Sequence, residues 1–133
     1  MWDLRFKVMP ERFLVNFEDL SEEVLVVDVR TKEEHTLGSI TDINIPILKR
    51  EDRGFYLRHT SLAVPIIING LWKNRGELCR SIDNVVITNN IKYIIIACSK
   101  GRLRSPLTWW YLRFRFKGIE FKVLRGGIKG VLN

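Results

Sequence analysis

A cysteine, three cations and a glycine crowd into eight residues, Cys98-Ser99-Lys100-Gly101-Arg102-Leu103-Arg104-Ser105. They follow an apolar run, Tyr93-Ile94-Ile95-Ile96-Ala97, and precede a segment able to form a helix, Pro106-Leu107-Thr108-Trp109-Trp110-Tyr111-Leu112. This order predicts a strand, a short loop and a helix start. Unpaired backbone N–H groups at a helix start carry partial positive charge. With Lys100, Arg102 and Arg104 they favour the ionised thiol of Cys98, the nucleophilic form. The same cradle suits an anion such as phosphate or sulfate. Five residues separate Cys98 from Arg104, so the spacing reads Cys-x(5)-Arg-Ser. A cysteine ending an Ile-rich strand can equally be a small buried hydrophobe. The cations weigh against that, because a core loop has no use for charges that are costly to bury unpaired.

Other strands must bring partners to this loop. Val24-Leu25-Val26-Val27-Asp28-Val29 is a β-branched run without polar alternation, as in parallel strands covered on both faces. It ends at Asp28 and Arg30, polar residues where a strand meets a loop. Thr31 and Glu34 then form a capping-box pattern, and Gly38 closes the short helix. Ile43-Asn44-Ile45 reads as a short strand stopped by Pro46, and 49–58 as a charged loop with a helical turn. A helix is expected from near Pro65, and another over 77–87, where Leu78, Ile82, Val85 and Val86 form a stripe that includes Cys79 as packing. Leu107, Trp110, Tyr111 and Phe114 mark one helical face, although 112–117 also alternates like a strand. Phe121-Lys122-Val123-Leu124 is a further strand, followed by a Gly-rich turn over 125–130. Strands alternating with helices predict an α/β domain around a mostly parallel central sheet flanked by helices. Ligands in such sheets sit beyond the carboxyl ends of strands. That rule places Arg30, the Cys98 loop and Gly126-Gly127 along one edge.

The chain has 133 residues, which fits a single domain spanning 1–133 with a core of its own. No run approaches the roughly 18 apolar residues of a membrane span. Met1-Trp2-Asp3-Leu4-Arg5 does not open a secretory signal. The expectation is a cytoplasmic chain with no membrane partner. Two cysteines fit a reducing compartment better than a disulfide framework. There is no paired Cys/His spacing for a metal; His35 and His59 stand alone and are expected at the surface. The net charge of +7 is unevenly placed. Residues 98–133 hold nine Lys or Arg against one acid, Glu120, while residues 1–97 hold thirteen bases and fourteen acids. A local basic excess is the footprint of a nucleic-acid or polyphosphate partner, or else a solvated face.

In order and spacing, these motifs resemble rhodanese-like sulfurtransferase domains: Val27-Asp28-Val29-Arg30, Glu34, Gly38-Ser39-Ile40, Asn44-Ile45-Pro46, Cys98 to Ser105, and Leu124-Arg125-Gly126-Gly127. Within that family they are most similar to the rhodanese domain of tRNA 2-selenouridine synthases. The signature loop there reads Cys-Trp-Arg-Gly-Gly-x-Arg-Ser, and the last strand ends in Gly-Gly-Tyr-Lys, matched here by Gly126-Gly127-Ile128-Lys129. The stretch from Asn44 to Arg53 also resembles that family's Asn-(Leu/Ile)-Pro segment with its acidic run. The resemblance spans about residues 24–130. This chain departs from it at Ser99 (for an aromatic), Arg102 (for the second glycine) and Ile128 (for tyrosine). Arg102 enters positive φ less easily than Gly.

The resemblance implies a rhodanese-like fold and sulfur or selenium carried on Cys98 as a persulfide or selenopersulfide. It implies a loop, Ser99 to Ser105, that stabilises the anionic terminal atom as an oxyanion hole stabilises oxygen. Arg102 and Arg104 supply charge, Lys100 faces donor or acceptor, and Ser105 is a helix N-cap or anion donor. Asp28 and Arg30 support the loop: Asp28 by bonding loop backbone, Arg30 by pairing a carboxylate or framing the pocket. No tightly bound cofactor or metal is implied; thiosulfate, a persulfide or selenophosphate serves as donor substrate. The acceptor implied is tRNA wobble uridine, in conversion of 2-thiouridine to 2-selenouridine, with tRNA held by the basic C-terminal segment. Such synthases also carry a nucleotide-binding domain with a Gly-x(4)-Gly-Lys-(Ser/Thr) loop. That motif is absent from this sequence, which implies a separate nucleotide-binding subunit, as in split archaeal forms, or a free-standing rhodanese. Two alternatives stay open: a generic thiosulfate or persulfide sulfurtransferase, and a Cys-x(5)-Arg phosphatase or arsenate reductase. Against the last, Ala97 stands where phosphatases of related fold have His.

Overall fold

The computed structural model of the chain describes residues 13–20, 24–89, 93–99 and 103–132. Its frame is a four-stranded sheet made of β1 (Leu14–Val15), β2 (Leu25–Asp28), β3 (Tyr93–Ala97) and β4 (Glu120–Leu124), in the order β1-β4-β3-β2. All three pairings are parallel. The long crossovers that parallel pairing requires carry the helices. These are α1 (Lys32–Leu37), α2 (Arg50–Arg58), α3 (Ala63–Lys73) and α4 (Arg75–Asn89) between β2 and β3. Then come α5 (Arg104–Arg115) between β3 and β4, and α6 (Gly127–Leu132) after β4. The protein is thus α/β with a parallel sheet flanked by helices.

Strand β3 sets the layers. Its side chains alternate between faces. Ile94, Ile96 and Cys98 join the larger core, with Ile67 and Leu71 from α3, Leu78 and Ile82 from α4, and Trp109 and Leu112 from α5. Ile95 and Ala97 join a smaller core with Leu124 and with Ile128 of α6. Cys98 therefore lies on the face covered by α5. Trp109 fixes that helix: its Nε1 donates to the Phe121 carbonyl at 2.8 Å, so the largest buried side chain also has its polar atom satisfied.

Several elements differ from the sequence expectation. Ile43-Asn44-Ile45 makes one parallel bridge, Asn44 to Asp28, rather than a strand. Residues 50–58 are a full helix with no fully buried residue; it lacks the apolar stripe that would have announced it. The turn after β4 runs on into α6. Strand β1 was not expected, since two residues give no periodicity to read. The 112–117 ambiguity resolves as helix to Arg115.

Helix α3 approaches the Ile47-Leu48 segment closely enough that a Cβ on Gly70 would meet the Ile47 carbonyl oxygen at 2.5 Å and also collide with Leu48. A backbone oxygen cannot rotate away. Gly70→Ala should therefore lower stability by about 1–2 kcal/mol, the overpacking strain exceeding the gain in helix propensity. Urea unfolding checks this; an unchanged or raised midpoint would show that the two segments part freely.

Candidate active site around Cys98

The carboxyl ends of β2, β3 and β4 converge as the sheet rule requires. Asp28 lies beside Ala97 in the β2–β3 register. The turn after β4 folds back onto the cysteine loop: the Ile128 N–H donates to the Cys98 carbonyl at 2.8 Å, and the Lys129 N–H to the Ser99 carbonyl at 3.0 Å. Gly126 and Gly127 make that return possible, with φ of 77° and 66°, a region that side chains with Cβ rarely enter. Arg30, the Cys98 loop and the Gly126-Gly127 turn thus share one edge.

Cys98 is almost fully buried, and its Sγ lies 3.2 Å from the Ser105 Oγ. Ser105 is the second residue of α5, and Leu103 occupies the N-cap position. Of the two roles expected for Ser105, helix N-cap or anion donor, the first is corrected: its hydroxyl faces the sulfur and not the helix start. Leu103 packs against the core as a half-buried residue. Ser99 is buried too, and its hydroxyl has no partner among the described residues. Lys100, Gly101 and Arg102 of the expected anion loop lie outside the described residues.

Arg104 is held tightly. Its Nη1 and Nη2 donate to the two carboxylate oxygens of Glu34 at 2.6 and 3.2 Å. Glu34 Oε1 also accepts from the Thr31 N–H at 3.2 Å and Thr31 Oγ1 at 3.1 Å, and lies 3.0 Å from Arg53 Nε. One carboxylate therefore completes the capping box of α1 and binds two arginines from other helices. Burial would raise the Glu34 pKa, but the Arg104 hydrogen bonds and the charges of Arg104 and Arg53 outweigh it and hold it below 4.5. Burial likewise opposes the Arg104 cation, while Glu34 and the negative fields of Cys98 and Tyr56 raise its pKa. Tyr56 of α2 is half-buried within electrostatic range of Cys98, Arg104, Arg53 and Glu34. Its pKa rises above 10.0, chiefly through burial. The sequence reading missed Tyr56, because it lies on the helix taken for a loop.

Asp28 and Arg30 form a second cluster. Arg30 donates its backbone N–H, Nε and Nη2 to the Asp28 carboxylate at 3.0–3.2 Å. It also donates to the Gly38 carbonyl. Asp28 accepts from Ser39 Oγ at 2.9 Å and contacts His35 Nδ1 at 2.8 Å. His35 is therefore a partner of a buried carboxylate, not the isolated surface residue expected; His59 is exposed as expected. Burial would raise the Asp28 pKa, and the hydrogen bonds from Arg30 and His35 reverse that and lower it. The loop backbone that Asp28 bonds is its own, at Arg30. Cys79 packs in α4, 3.6 Å from the Tyr111 hydroxyl. Among the described residues, no cluster of His, Cys, Asp or Glu could hold a metal ion, and no helix is long and apolar enough to cross a membrane.

The chain matches no protein-family model and no curated protein. Among solved structures it is similar to the N-terminal domain of a Clostridium difficile 630 protein described as ATP/GTP-binding. The two share 23% identity and a TM-score of 0.72 over 90% of this chain and 96% of that one. At this identity the likeness shows a shared fold.

The two carboxylates make stability depend on pH. Their folded pKa values lie below the ordinary 4.5 and 3.8, so the stability they contribute is present above about pH 4.5. It is lost as pH falls through the folded values. Glu34→Gln should cost about 2–3 kcal/mol at pH 7, less than a fully buried pair because Glu34 retains some solvent contact. It should also flatten the acid limb of stability against pH. An acid limb as steep as the unsubstituted protein's would mean that other groups carry it.

Proposed function

We propose that this chain is a rhodanese-like domain that carries sulfur on Cys98. The observation that carries this reading is the seat of the cysteine. It directly follows β3, an inner strand of the parallel sheet, and is buried beneath α5, with a hydroxyl at 3.2 Å. The positive field of Arg104 reaches it, and its own carbonyl is tied to the Gly126-Gly127 turn. In the transfer, the Cys98 thiolate attacks the outer sulfur of thiosulfate. A new S–S bond forms, and sulfite leaves with the electron pair of the broken one. An acceptor nucleophile then takes the terminal sulfur and releases Cys98 as thiolate. The Arg104–Glu34 clamp fixes the start of α5, so Ser105 stays against the sulfur through both steps. Tyr56 presents a phenol to the same group of charges.

The acceptor we favour is tRNA uridine, with selenium as the alternative cargo. The basic excess after residue 98 supports a nucleic-acid partner. The related solved domain is one part of a protein described as ATP/GTP-binding. The arrangement we favour is a sulfur-carrying domain working beside a separate nucleotide-binding subunit.

With thiosulfate and cyanide, the protein should release thiocyanate, and Cys98→Ser should abolish the release. Unchanged thiocyanate from Cys98→Ser would remove Cys98 from the scheme. Ser105→Ala should retain the fold yet slow transfer by about tenfold or more, the range seen when one hydrogen-bond donor is removed from a site of this type.

A further inference from the structure

Helix α5 has two functional ends. Its first residues meet Cys98, and its last turns present an unusual outer face. Trp110, Arg113 and Phe114 stand three and four residues apart, the spacing that lines one side of a helix, and Lys117 follows just past the helix end. The opposite side, Ser105, Thr108, Trp109 and Leu112, is buried. Solvent therefore meets two aromatic side chains, Trp110 at 50% and Phe114 at 77% exposure. Lys117 flanks one of them, its Nζ 5.1 Å from the Phe114 ring centre, while the Arg113 guanidinium lies at the border of the buried side, over Phe13 and Trp109 at 4.4 and 5.0 Å. Arg115 is exposed on the next row and, with Arg75 from the start of α4, lies within electrostatic range of Tyr111. No acid occurs in the sequence between Asp83 and Glu120.

We infer that this stripe is a binding surface for an unpaired RNA segment. Rings that accept a base by stacking, alternating with cations that take phosphates, match single-stranded nucleic acid. The two classes that compete for a basic face fit less well. A membrane-binding helix needs a broad aliphatic face, and here only two rings protrude. An acidic protein would use the cations and leave the rings without purpose. The stripe rests on the proposed function in one respect, the choice of RNA: a strand lying along α5 leads toward Cys98. Phe114 is ten residues from Arg104, about 15 Å along the helix.

Fluorescence anisotropy of three labelled probes tests the surface: an unpaired RNA, a DNA strand of the same sequence, and the fully paired RNA duplex. The unpaired RNA should bind tightest. Trp110→Ala with Phe114→Ala should weaken it about tenfold or more and leave the salt slope unchanged. Arg113→Gln with Arg115→Gln should lower the salt slope by about two. All four residues are outside the Cys98 site, so thiocyanate release should match the unsubstituted protein and report that each variant is folded. Equal affinity for the duplex, or full affinity in the aromatic variant, would overturn the surface. So would capture of anionic vesicles or an acidic peptide in preference to RNA. The DNA strand binding as well as RNA would keep the stacking surface and overturn its assignment to RNA. If thiocyanate release fails while RNA binding depends on the stripe, the sulfur-transfer reading falls and this surface stands. The converse result separates them the other way.

Discussion

The Glu34 carboxylate is the joint on which the candidate site depends. It closes the capping box of α1, meets Arg53 of α2 and clamps Arg104 at the start of α5. In chain order the first of these helices follows β2, the second lies in the same crossover, and α5 follows β3. Tied to one carboxylate, they fix the first turn of α5 against the end of β3. A buried ion pair of this kind adds little net stability over an apolar pair of the same shape. Its value here is positional: breaking it leaves the Arg104 cation buried beside a cysteine with no carboxylate to hold it.

The same joint changes what Arg104 does. From spacing alone, Arg104 is the charge that meets a bound anion. In the folded protein both terminal nitrogens are committed to Glu34. What it gives the cysteine is placement: the clamp sets the start of α5, where Ser105 meets the sulfur. Asp28 works in parallel one strand away, its carboxylate filled by Arg30, Ser39 and His35. The two arginines of the sequence pattern thus share one design, a buried guanidinium locked by a carboxylate from its own or a neighbouring strand-to-helix turn.

Much of this was legible in the sequence because the signals were local. The unbroken β-branched runs of β2 and β3 could be read as covered parallel strands. Thr31 and Glu34 gave the capping box at the right residues, and the Gly126-Gly127 turn was placed at the correct sheet edge. What escaped notice depends on contacts between distant segments. Helix α2 buries no residue fully, so it has no stripe, and Tyr56 went unread as a neighbour of Cys98 and Arg53 as a partner of Glu34. His35 lacks any sequence partner, and only the fold brings it to Asp28. Ser105 reads as an N-cap, beside its reading as an anion donor, when the helix is started at Pro106. It begins two residues earlier, and that shift of register turns the hydroxyl from the backbone to the sulfur.

On the reading proposed above, Cys98 accepts a sulfur or selenium atom in this seat. Intact-mass and peptide mass spectrometry after incubation with thiosulfate, a small-molecule persulfide or selenosulfate, donors that give up the outer atom as sulfite or thiolate leaves, measures it directly. One added chalcogen atom should map to Cys98, be removed by thiol reductant and be absent from Cys98→Ser. An unmodified Cys98 with every donor, or an added atom that maps to Cys79, would contradict it.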